Sequence, residues 1–113
     1  MSNLIQSSMC ELTMQFIDAL FDNNSYGSYA LSFNQSNNFK ADFYGFGYLK
    51  NELIQHLNNG RYKSFIYSES KDKVDAYFSI CDYYHYINQP LAIHPVPPVG
   101  VECPHCHFPG VQV

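Results

Sequence analysis

All six prolines lie between positions 90 and 113 (Pro90, Pro95, Pro97, Pro98, Pro104 and Pro109), so the preceding 89 residues contain none. Proline fixes φ and has no amide hydrogen to donate, which keeps it out of helix interiors and central strands. The chain therefore separates into a stretch free to build regular elements and an arm that cannot. Pro95-Val96-Pro97-Pro98 should be extended and polyproline-like. Residues 1–89 are expected to form an α+β core domain. Residues 90–113 are expected to be a proline/Cys/His-rich C-terminal arm packed on that core, not an independent domain, and ordered by a metal or a partner. At 113 residues and 46% hydrophobic, the chain can bury one modest core.

Hydrophobic periodicity divides the first part. Ile5, Met9, Leu12, Phe16 and Leu20 recur at helical steps and predict an amphipathic helix over 3–21. Cys10 beside that stripe is expected as a small buried hydrophobe. Tyr29, Leu31 and Phe33 alternate with serine and alanine, which predicts a strand over 26–33. A polar turn over 35–38 and a strand over 39–46 complete an antiparallel hairpin. Leu49, Leu53 and Leu57 predict a helix over 48–59, closed by Gly60 at the left-handed cap position. His56 lies off that stripe and is expected to be solvated. Strands are expected over 61–68 and again over 74–80, where Val74, Ala76, Phe78 and Ile80 alternate with Asp75, Tyr77 and Ser79. The expected fold is α+β, a four-stranded mainly antiparallel sheet with two helices in the order αββαββ, a pattern suggesting internal duplication.

The reactive side chains gather toward the C-terminus. Three of the four cysteines (Cys81, Cys103, Cys106) and four of the five histidines (His85, His94, His105, His107) lie between positions 81 and 107. Cys103-Pro-His-Cys106 has the two-residue gap that brings two thiolates to one tetrahedral ion. It resembles half of a zinc-ribbon knuckle, with His107 in place of the usual following glycine and no second Cys-x-x-Cys. A structural zinc is therefore expected, held by Cys103 and Cys106 and completed by His85 and His94. Cys81 with His85, or His94 with His107, are alternative completions. Geometry separates them: four residues apart on a helix, two side chains lie about 6 Å apart, whereas on a strand the distance is ~13 Å. Thioredoxin-like redox chemistry would need a helix after the Cys-x-x-Cys, and too few residues follow for one. A zinc hydrolase would need an open coordination position and a base such as Glu102.

Net charge is −4 and Arg61 is the sole arginine, which disfavours direct nucleic-acid binding. Ten tyrosines and nine phenylalanines exceed what so small a core absorbs. Tyr77, Tyr83, Tyr84 and Tyr86 with Asp82 are expected to form an exposed patch for a protein partner. No catalytic constellation is visible, so a non-enzymatic protein is expected, one that docks onto a larger protein or protein–nucleic-acid machine. In general character such a chain is similar to phage or mobile-element inhibitors such as anti-CRISPR proteins. A zinc-stabilised nucleic-acid-binding module using the Cys103–Cys106 knuckle and strand aromatics is the alternative, and a metal-dependent hydrolase the third. No basic, apolar leader opens the chain and no stretch could span a bilayer, so a cytoplasmic location, in its own cell or a host's, is expected.

Overall fold

The computed structural model describes residues 8–34, 39–87 and 97–105. The elements run β1 (Cys10–Glu11), α1 (Met14–Leu20), β2 (Tyr26–Ser32), β3 (Phe43–Tyr48), α2 (Leu49–Asn59), β4 (Ser64–Glu69) and α3 (Lys73–Ile87). The four strands form one antiparallel sheet in the order β1-β4-β2-β3. The described residues thus have the expected α+β class and four-stranded antiparallel sheet, with three helices where two were expected.

Three elements differ from the periodicity reading, the least of them β3, which runs from Phe43 to Tyr48 rather than over 39–46. The first helix is much shorter than 3–21: Cys10 and Glu11 are strand, pairing with Phe65 and Ser64. Thr13 then caps α1, its hydroxyl accepting the Phe16 amide at 3.3 Å. That start sets the helical phase so that Ile17, with Leu12 and Phe21 at its flanks, is buried while Phe16 and Leu20 face outward. Cys10 is half-buried, and burial raises its thiol pKa.

The larger difference is α3, where a strand over 74–80 was expected and the αββ duplication fails. Asp72 begins this helix by accepting the Asp75 amide at 2.9 Å, and Asp75 in turn accepts the Lys71 amide at 3.3 Å. This is an N-terminal cap of the kind that Asp-x-x-Asp encodes. The alternation required Tyr77, Ser79 and Cys81 to be solvated, yet all three are buried and Phe78 is exposed.

The helices cover both sheet faces. Tyr29, Leu31 and Phe65 pack with Ile17, Leu49 and Leu53 from α1 and α2. Ala30 and Ile66, pointing the other way, pack with Ile80 and Tyr83 of α3. A half-buried strand alternates in exposure, but β2 is buried on both sides from Gly27 to Ser32. Gly60 ends α2 at φ 75°, as its position implied. Lys50 of α2 also meets Asp18 of α1 at 3.3 Å. That pair is largely solvated, with Asp18 exposed and Lys50 partly so, and contributes at most about 1 kcal/mol.

The expected arm is described only over 97–105. There Val101 donates its amide to the Pro98 carbonyl at 3.0 Å around Gly100 at φ 81°, the positive φ that a type II turn needs at its third residue. The polar turn over 35–38 lies outside the described residues.

Candidate functional site

Three chain segments meet at one end of the sheet. Phe33 follows β2, Phe43 opens β3, and Arg61-Tyr62 join α2 to β4. The left-handed Gly60 turns the chain back, and the Lys63 amide donates to the Ser32 carbonyl at 2.8 Å, which sets Tyr62 beside Phe33. The Phe33 and Tyr62 rings stack at 5.1 Å with 10° between planes. Phe43 lies 6.0 Å from Tyr62 and 5.0 Å from the His56 ring. The Arg61 guanidinium sits 5.9 Å from the centroids of both Phe33 and Tyr62. Phe33 is 45% and Phe43 37% exposed, high values for phenylalanine. An aromatic platform crossed by the sole arginine is therefore open to solvent.

Beneath it is a polar network. Tyr29 is buried, and its hydroxyl lies 2.7 Å from Glu52 Oε1 and 3.1 Å from His56 Nε2. A phenol has one proton, and the carboxylate takes it. His56 must then donate through Nε2, which fixes its tautomer. The arrangement depends on Gly45, paired with Tyr29 across the β2–β3 ladder, because a Cβ there would run into the Tyr29 ring. Burial, helped by the hydrogen bond to Glu52, pushes the Tyr29 pKa far up, so the phenol stays protonated. Burial lowers the His56 pKa, with the Glu52 charge pulling the other way. His56 is thus a half-buried member of a network and not the solvated residue its helical position suggested.

Two predictions follow from these contacts. Tyr29→Phe removes a donor from Glu52 and an acceptor from His56, and should cost about 1–3 kcal/mol in urea unfolding. An unchanged midpoint would mean that water satisfies both partners equally well. For His56 the folded pKa lies below the unfolded value of about 6.5. Its contribution is complete above that pH and is lost as pH falls through the folded value. His56→Gln keeps an amide donor without the titration, so its stability should fall less than wild type between pH 7 and 5. Parallel acid slopes would exclude His56 as a source of the pH dependence.

The second cluster lies where the C-terminal turn meets α3. Cys103 is fully buried in one cluster with Cys81 and Tyr77. Its Sγ is 3.3 Å from His85 Nε2. His105 donates through Nε2 to Asp82 Oδ1 at 2.6 Å, and the His85 and His105 rings lie 4.9 Å apart. Because α3 is a helix, Cys81 and Asp82 each lie about one turn before His85, at four and three residues. The strand spacing that counted against Cys81 with His85 does not apply. Cys10, Cys81 and Cys103 form no disulfide. Among the described residues, no group of three or more His, Cys, Asp or Glu side chains is placed to hold a metal ion. His94 and Cys106 lie outside the described residues.

The expected tyrosine patch on α3 is corrected in part. Tyr77 is 0% and Tyr83 8% exposed, so both are core. A helix turns them onto the sheet, whereas a strand or a frayed end would have left them out. Tyr84 is half-buried, packing 5.8 Å from Tyr44, while Tyr86 is 68% exposed and Asp82 is partly exposed. The Phe33–Phe43–Tyr62 platform lies on the opposite face of the sheet, on residues that periodicity assigned to strands. Arg61 directly after a helix-ending glycine was the only sequence signal for it.

No protein-family model matches this chain, and no significantly similar curated protein or solved structure was found. The functional reading therefore rests on the geometry alone. Among the described residues, no helix is long and apolar enough to cross a membrane. A shallow cleft whose described lining is Asn23, Asn24, Tyr48 and Asn51 offers amides and a phenol.

Proposed function

We propose that this chain is a non-enzymatic module that docks onto a larger protein through Phe33, Phe43, Arg61 and Tyr62. The observation that carries the reading is the stacked Phe33–Tyr62 pair under Arg61, with Phe33 and Phe43 exposed and Tyr62 partly buried beneath them. Exposed phenylalanine surface gains roughly 25 cal/mol per Å² on burial. Rings already locked by stacking lose little rotamer freedom when a partner covers them. Aromatic residues and arginine are also the types that dominate binding hot spots. The Tyr29–Glu52–His56 network supports the platform from below and holds Phe43 and Tyr62 in place through the His56 ring.

Nucleobases could stack on the same rings, but such platforms are surrounded by clustered bases, and this one has a single arginine. The two readings separate experimentally. A photo-crosslinker placed at position 33, in extract of the cells that express the protein, should give a discrete protein adduct. The same probe at Val99, an exposed control, should not. Arg61→Ala and Phe43→Ala should abolish the adduct while changing stability by only about 0.5–1 kcal/mol. An adduct independent of Arg61 and Phe43, or none at all, refutes the docking reading. A mobility shift with DNA or RNA that weakens steeply with salt would put nucleic acid in its place.

A further inference from the structure

We propose that Asn59-Gly60 is a self-modification site, where loss of ammonia from Asn59 converts the backbone to isoaspartate and takes the aromatic platform apart. Asparagine is among the thermolabile residues, and it reacts fastest when glycine follows, because no Cβ obstructs the attack. Asn59-Gly60 is the only Asn-Gly pair in the chain. Both residues are exposed, and a methyl group built on Gly60 would meet nothing within 4 Å, so the pair stands in open solvent.

The reaction is a ring closure followed by hydrolysis. The Gly60 backbone nitrogen loses its proton to solvent base and attacks Cγ of the Asn59 side chain. The carboxamide nitrogen leaves as ammonia, and a five-membered succinimide remains. Water then opens the ring at either carbonyl. Attack at the side-chain carbonyl gives aspartate, and attack at the backbone carbonyl gives isoaspartate. One water is consumed and one ammonia released, with no oxidant or reductant.

The cap of α2 controls the first step. Gly60 donates its amide to the His56 carbonyl at 3.2 Å and to the Leu57 carbonyl at 3.1 Å. Such shared bonds are common at helix ends, and a helix end frays at little cost, which frees the nitrogen to attack. The succinimide has no N–H, so both carbonyls then lose their donor. Hydrolysis to isoaspartate returns the N–H but routes the main chain through the former side chain, adding one carbon, about 1.5 Å of bond length, before Gly60. Only Arg61 and Tyr62 separate that glycine from Lys63, whose amide is fixed to the Ser32 carbonyl at 2.8 Å. The added carbon therefore falls in the short link that sets Tyr62 at 5.1 Å from Phe33. The new carboxylate stands at the negative end of α2, shortly before Arg61. There it offers the guanidinium a partner in competition with the Phe33 and Tyr62 rings. The loss of docking that results rests on the docking reading, whereas the chemistry and the ring separation are read without any partner.

The full chain is incubated folded, in neutral and in mildly alkaline buffer, then digested for mass spectrometry. Asn59 should exchange NH for O ahead of every other asparagine, faster at the higher pH, with isoaspartate detected by enzymatic carboxyl methylation. NOEs between the Phe33 and Tyr62 rings should be lost in the isoaspartate form. They should persist in Asn59→Asp, which adds the charge without the extra backbone atom. Gly60→Ala should slow the exchange more than about tenfold, equal to ~1.4 kcal/mol of added barrier, even though it weakens the cap. Asn59→Gln, which would have to close a larger ring, should not react. No exchange at Asn59 in the folded chain overturns the proposal, as does earlier reaction at another asparagine. So does Gly60→Ala reacting as fast as wild type, or an isoaspartate form that keeps the ring NOEs. The crosslink at position 33 bears only on docking, so its failure leaves this modification standing.

Discussion

Gly27→Ala should destabilise the protein by about 3 kcal/mol or more. Gly27 pairs with Gly47 on one side and Glu69 on the other, at the start of the central strand. A Cβ there would fall on the Ser68 carbonyl oxygen and against the Glu69 Cα. Both are backbone atoms inside the β2–β4 ladder, so no rotamer change can make room. The strand pair must separate locally, and the ladder's hydrogen bonds with it. Gly60→Ala provides the contrast. Its position has φ 75° and open space around the new methyl, so the cost is confined to the left-handed conformation, roughly 1 kcal/mol. Urea midpoints at constant slope would report both. If Gly27→Ala cost no more than Gly60→Ala, the β2–β4 register described here would be wrong.

Tyr77→Ala should cost about 3–5 kcal/mol, as large aromatic truncations in a core do. Tyr86→Ala, nine residues later on the same helix, should change stability by less than about 0.5 kcal/mol. Tyr77 is fully buried beside Cys81, Cys103 and Phe46, with its ring 6.4 Å from that of Phe46, while Tyr86 is two-thirds exposed. The pair tests the phase of α3 directly. In the strand that alternation suggested, Tyr77 would point away from the face of Val74, Ala76, Phe78 and Ile80 and into solvent. Similar losses for both variants would remove the helical assignment, and with it the adjacency of Cys81 and His85. For a domain with a total stability of about 5–15 kcal/mol, either Gly27→Ala or Tyr77→Ala removes a large share of it.

Residues 73–87 show why alternation misled. A segment with this many aromatic and aliphatic side chains, nine of the fifteen in KVDAYFSICDYYHYI, can satisfy periods of 2 and 3.6 at once. Ala76, Ile80 and Tyr83 fit a helical stripe as well as Val74, Ala76, Phe78 and Ile80 fit a strand face. The deciding signal was polar and local: Asp72-x-x-Asp75 at the start. The first helix failed for a related reason. Its apolar stripe continued through Leu12 into residues that pair with β4, and only the Thr13 cap marks where helix begins. The functional surface was least visible of all, because stacking between Phe33 and Tyr62 joins residues from separate turns.

By itself, the sequence determined what local chemistry can enforce. Proline was confined to the end of the chain, α2 was framed by its leucines and Gly60, and the β2–β3 hairpin and α+β class followed from a change of period. It also placed most thiols and imidazoles in one stretch. Only the tertiary structure decided which face each element buries. Covering both sheet faces made β2 wholly interior and turned Tyr77 and Tyr83 inward. It also let α3 remain helical, so that Cys81 and His85 stand one turn apart facing Cys103. Such choices depend on burial against distant neighbours, and the free energy of that burial exceeds the small differences in propensity that a single strand or helix carries alone.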